Sequence, residues 1–203
     1  MKTKLVLTTL FACACATFAG TQSFDFKDPK GVNNAVFKLD APLESINGTA
    51  NGISGTVSYD PEKPEALAGK IVVETKSLTV PNPMMKEHMH GGQWLDVEKF
   101  KEITFEATKV ANVKRDGDNV TADVTGKFTL RDVTKEITVP VKLSYLKGKL
   151  SARVPNMQGD LLVLRAKFIL KRTDYGINPK APSDKVSDEI DLTLSLAGAA
   201  PTK

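Results

Sequence analysis

The sequence predicts an all-β chain, an eight-stranded antiparallel barrel with a short helical insertion near residues 82–100. Two stretches carry most of that prediction. In Val120–Leu130, the residues Val120, Ala122, Val124, Gly126, Phe128 and Leu130 alternate with polar neighbours, and in Ile137–Tyr145 so do Ile137, Val139, Val141, Leu143 and Tyr145. A strict period of two, rich in β-branched residues, gives strands with one apolar and one solvated face. The polar connection Arg131–Lys135 has hairpin length and no helical periodicity. A third observation is recurrence. Similar runs continue from Phe24 to Leu196, about eight in all, joined by short turns, and such a sheet hides its edges best by closing.

The elements follow in order. Ala35, Phe37 and Leu39 alternate through a first long strand that Pro42 ends or bends, and Leu43–Asn47 continues it or begins the next. After the turn formers of Asn47–Gly52, a strand holds Ile53, Gly55, Val57 and Tyr59 on one face. A proline-rich connection at Pro61–Pro64 leads to a strand carrying Ile71 and Val73. The pattern then breaks. Asn82 and Pro83 are a helix start, Gly91-Gly92 a stop near His90, and Trp94–Phe100 a second helical turn. Strands resume at Ile103, Phe105 and Ala107, and the apolar phase slips near Lys109-Val110, as a bulge requires. Asp116–Asp118 and Lys147-Gly148 are turns. Leu150–Asn156 reads as a short strand and Leu161–Thr173 as a strong one, with Leu162, Leu164, Ala166, Phe168 and Leu170 together. Ile190, Leu192, Leu194 and Leu196 mark the last strand, and the small-residue tail from Ala197 is expected to fray.

A chain of 203 residues with 41% hydrophobic residues suits one all-β domain, here 20–203. Residues 1–19 read as a secretory signal peptide. Lys2 and Lys4 precede an apolar run from Leu5 to about Ala12 that is too short to span a bilayer, and small residues allow cleavage after Ala16 or, preferably, Ala19. Leu10-Phe11-Ala12-Cys13 loosely resembles a lipoprotein signal that would lipidate Cys13, but bulky Phe11 counts against it. Both cysteines, Cys13 and Cys15, lie in this segment, so the remainder has neither disulfide nor thiol chemistry. Without Lys2 and Lys4 the chain has 26 basic and 24 acidic residues, or +2, evenly spread, which excludes a nucleic-acid footprint. The expected product is periplasmic or secreted and soluble, with no stable membrane insertion. Its oligomeric state is open, a homodimer included. An eight-stranded barrel has room for side chains or one small ligand, and the aliphatic inward rows require that ligand to be apolar.

Several segments resemble the YceI-like family of bacterial secreted, lipocalin-like proteins. They are Gly126–Glu136, Lys171–Ile177, Val186–Ile190, and the series His88-Met89, Trp94–Val97 and Ile103–Phe105, in the family's order and spacing over roughly residues 24–196. Two departures stand out. Met85–Glu87 replaces the family's Arg-Asp before the histidine, and Asp132 replaces its turn glycine. The resemblance implies a lipocalin-like barrel holding a polyisoprenoid or isoprenoid quinone, with no catalytic residues and no other cofactor.

For an amphiphilic lipid, alternation selects Phe37, Leu39, Val57, Ile71, Val73, Phe105, Val124, Phe128, Val139, Val141, Leu164, Phe168 and Leu192 as cavity lining. Met85, His88, Met89 and Trp94 are placed at the cavity mouth. Met84–His90 is also a soft-ligand cluster of the kind that holds copper, which supports an alternative reading as a metal-binding or stress-related interaction protein. Against it, helical His88 and His90 point about 200° apart, and the methionines serve equally as adaptable apolar filler. No metal site is therefore assigned. Arg172 and Asp174, two apart, are expected to share a strand face and pair with Asp188 or Glu189 as structural charges.

Overall fold

The computed structural model describes residues 20–202; the expected leader, its two cleavage points and Cys13 lie outside the described residues. Ten hydrogen-bonded segments occur: β1 (Gln22–Asp25), β2 (Asn34–Asp40), β3 (Ser45–Ala50), β4 (Ile53–Tyr59), β5 (Ala68–Glu74), β6 (Glu102–Asp116), β7 (Asn119–Leu130), β8 (Val133–Leu146), β9 (Gly159–Lys171) and β10 (Glu189–Pro201). They form eight staves. β1 and β2 lie end to end along β10, with Asp25 opposite Ala199 and Ala35 opposite Leu194. β4 and β3 pair with them in turn, so each of the first two staves is one strand broken by a loop. The β1–β10 pairing closes an antiparallel eight-stranded barrel, as the alternation predicts.

The long hairpin is tighter than its polar connection suggests. Leu130 pairs with Val133, leaving only Arg131 and Asp132 in the turn, both at positive φ (50° and 57°). That backbone is a type I′ turn, whose twist matches the flanking strands. The predicted slip in β6 occurs twice, between Ala107 and Lys109 and between Ala111 and Lys114, with Asn112 at φ 53°.

Three local expectations are corrected. Leu150–Asn156 is not a strand: Leu150–Arg153 form a single helical turn, with Leu150 fully buried as its anchor. The tail does not fray. β10 continues to Pro201 opposite Gly159, because small Gly198 lets the Phe26 ring lie against the backbone, where a Cβ would come within 2.6 Å. Of the expected helical turn over Trp94–Phe100 only the end forms, where the Lys99 and Phe100 N–H groups donate to the Asp96 carbonyl at 2.9 Å, and the stretch before it is irregular. Backbone bonds from Leu95 to Met89 and from Val97 to His90 draw it against the preceding helix and bury Leu95 and Val97.

That helix, α1 (Pro83–His90), is as expected: the Asn82 side chain accepts from the Met85 N–H at 3.1 Å, and Pro83 opens the first turn. Among the described residues no helix is long and apolar enough to cross a membrane. Packing divides the barrel into two ends. At one, Phe24, Phe26, Tyr59, Leu143, Leu162 and Leu196 fill the interior. At the other, α1 and the loops after β5 and β9 fold over the opening, with Leu95, Val97, Tyr175 and Ile177 packed beneath them.

Candidate functional site: an apolar cavity in the barrel

Between the packed end and the covered end lies a cavity of about 200 Å³. It is hollow because several inward positions are small, notably Ala35, Ala50, Gly69, Ala107 and Ala166. Among the described residues on its wall, only Thr104 and Arg172 are polar, apart from the Trp94 indole. Such a wall offers no compensation to a buried polar group, which costs free energy without a hydrogen-bond partner. It suits hydrocarbon.

The structure places every residue of the predicted lining on this wall: Phe37, Leu39, Val57, Ile71, Val73, Phe105, Val124, Phe128, Val139, Val141, Leu164, Phe168 and Leu192. Register explains why they converge. Phe105 stands opposite Phe128, Val124 opposite Val139, and Phe168 opposite Leu192. Of the four mouth residues, Met89 and Trp94 reach the wall. Met85 packs beside it on the small cluster of Phe37, Leu39 and Val80, and His88 is exposed. His90 is engaged elsewhere, with Nε2 2.8 Å from the Leu78 carbonyl oxygen. Among the described residues no group of three or more histidine, cysteine and carboxylate side chains is gathered for a metal.

Alternation did not find the wall residues supplied by loops, Leu78, Leu95 and Ile177, since no periodicity marks a loop as facing inward. Arg172 was found but misplaced. β9 ends at Lys171, and Arg172–Tyr175 form a 3-10 turn capped by Gly176 at φ 65°. The Arg172 guanidinium is buried and meets carbonyl oxygens alone: Nε donates to Ser187 at 3.0 Å, Nη1 to Ile177 at 3.0 Å and to Asn178, and Nη2 to Ala181 and Val186 at 3.4 Å. It pins the loop that covers the barrel end. The Asp188 carboxylate accepts from the Thr173 amide and hydroxyl, Arg172 reaches Asp188 only through its own amide, which donates to the Asp188 carbonyl at 2.8 Å, and Asp174 pairs with Lys135 at 2.8 Å. Arg131 completes the cover, donating to the carbonyls of Gly176 and Gly92 at 2.5 and 3.1 Å.

The packed end has its own polar clasp. The Tyr145 hydroxyl donates to Asp160 at 2.6 Å, and Gln22 and the Gly148 N–H donate to the same carboxylate. Burial, and then the bond to Asp160, push the Tyr145 phenol up to about 12. Burial works against the Asp160 carboxylate, but the donors from Tyr145, Gly148 and Gln22 outweigh it and hold the group below the usual carboxylate range.

Known proteins share this architecture. The profile of the YceI-like domain matches residues 16–197. A UPF0312 protein of Pseudomonas aeruginosa is 33% identical over 157 residues, covering 75% of this chain and 73% of the relative. Among solved structures, BcnA of Burkholderia cenocepacia superposes with a TM-score of 0.68 at 18% identity, over 81% of this chain and 95% of that one. A polyisoprenoid binding domain from Saccharophagus degradans, implicated in plant cell wall breakdown, gives 0.63 at 11% identity, over 90% and 100%. With nearly the whole barrel inside the matched region, the chain belongs to the YceI-like family.

Proposed function

We propose that this protein is a non-catalytic carrier that holds the chain of an isoprenoid lipid or isoprenoid quinone in its barrel. The observation that carries the reading is the cavity wall, apolar except for Thr104 and Arg172. The polyisoprenoid-binding neighbour supports it by sharing the barrel. The leader-like residues 1–19 support a periplasmic or secreted site of action.

Hydrophobic burial sets the size of the ligand. At about 0.8 kcal/mol per buried carbon, and with an association cost of at least about 4 kcal/mol, micromolar binding needs roughly 15 carbons, or about three isoprene units. Short terpenes should therefore bind weakly. Trp94 is the chain's single tryptophan and lies on the wall, so it reports occupancy directly. Titration with ubiquinone should quench its fluorescence saturably at one ligand per protein, and a non-quenching polyprenol should compete. Linear, unsaturable quenching that no polyprenol reverses would count against the carrier reading.

A further inference from the structure

The barrel wall is incompletely sewn. β8 and β9 pair only from Val141–Ala166 to Leu146–Leu161, although β8 begins at Val133 and β9 runs on to Lys171. Beyond that point, on the side of the covered end, Val133–Pro140 and Lys167–Lys171 have no partners on their facing edges among the described residues. Pro140 stands at the parting, with no N–H to offer. The inward side chains of the two edges, Val139, Phe168 and Leu170, are cavity wall. On the outside, Ile169 is 55% exposed.

Directly beside this parting, the outer surface carries a groove of about 750 Å³. The two bulges of β6 bend the sheet here. The ladder aligns Lys114, Thr121, Lys142, Arg165 and Ser195 in one outward row across five strands. Lys167 follows in the next, opposite Thr193, which in turn faces Val36, 40% exposed. Four cations thus border the groove against one acid, Asp123, which accepts from the Asn112 amide at 2.7 Å. Among the described residues none of the four cations makes an ion pair, while Lys38, Lys76, Lys101, Lys135 and Arg153 do.

We propose that this face is the docking surface for an anionic lipid bilayer. Charge complementarity selects the partner: each lysine or arginine held near an anionic leaflet is attracted to it. At the border of the groove, Ile169, between Lys167 and Lys171 on β9 and opposite Asp191, and Val36, in the row of Lys167, are exposed to meet the interfacial region. The same orientation turns the unpaired edges of β8 and β9, the unsewn part of the cavity wall, toward the membrane. Docking concerns the outer surface and stands whether or not the cavity holds a lipid.

The test is co-sedimentation of the protein with phosphatidylglycerol–phosphatidylcholine vesicles and with pure phosphatidylcholine vesicles, at low and high salt. The wild type is expected to bind the anionic vesicles only, and less at high salt. The triple variant K142Q/R165Q/K167Q should lose roughly a hundredfold in affinity, at about fivefold per charge. K63Q/K70Q/K149Q removes the same charge from exposed lysines outside the groove and should bind within about threefold of wild type. Equal losses in the two variants, or equal binding to neutral vesicles, would overturn the proposal. So would a wild type that ignores vesicles while inorganic phosphate shifts the amide resonances around Arg165, since the groove would then be a small-anion site.

Discussion

Replacing Arg172 with methionine removes a buried cation while keeping much of the stem that touches the cavity, and two effects then compete. Deleting a buried charge recovers its desolvation cost, and whole buried ion pairs are often replaced by apolar residues without loss. Here, however, the partners are backbone carbonyls that remain behind. Three of the five contacts are 3.0 Å or shorter, and an acceptor left unpaired costs about 1–3 kcal/mol. Pro179 and Lys180 are exposed, so water reaches part of this loop and the lower value applies. The expected loss is about 3 kcal/mol, a large share of the roughly 5–15 kcal/mol that such domains possess. Urea unfolding followed by circular dichroism measures it. Hydrogen exchange should show residues 176–188 losing protection ahead of the barrel. An Arg172→Met variant as stable as wild type, with that loop still protected, would refute the assignment of Arg172 as the pin of the barrel cover.

Other perturbations follow from the same geometry. Ala166→Phe puts a ring into the cavity from a buried wall position and should weaken binding of a fluorescent polyene fatty acid at least tenfold, with melting shifted by only a few degrees. Gly126→Ala drives a Cβ to 2.5 Å from the Glu106 carbonyl oxygen and 2.6 Å from the Phe105 ring, so chemical denaturation should show a loss of about 2 kcal/mol. Asp132→Gly relieves a left-handed residue in the hairpin turn and should add up to about 1 kcal/mol by the same measurement. Because the folded Asp160 has a lowered pKa, its contribution is present above the unfolded carboxylate value and lost as pH falls through the folded one. Asp160→Asn should therefore cost about 1–3 kcal/mol at neutral pH and progressively less in acid, read from unfolding curves at each pH.

The features legible in the sequence were those with a period. Alternation located the paired strands, placed every predicted lining residue on one wall, and announced the β6 bulge as a phase slip, because a barrel buries one face of each strand. The helix start was readable from Asn82 and Pro83, whose capping chemistry is local. What was not readable depends on distant partners. The Trp94–Phe100 segment has helical spacing, yet the Leu95 and Val97 amides donate to α1 and only Lys99 and Phe100 close a turn within it. The tail from Ala197 has little to bury by itself, but its small residues are what Phe26 requires. Arg172 looked like a strand charge seeking a carboxylate, and only the folded loop shows that its partners are carbonyls.

The central claim is that the barrel exists to hold a long apolar chain, and native mass spectrometry of the protein taken from its own compartment tests it most directly. The account predicts an added mass of several hundred daltons, about that of a polyprenyl chain, which disappears on denaturation and is recovered by organic extraction. A bare protein mass that stays bare after incubation with polyprenols and quinones would contradict it.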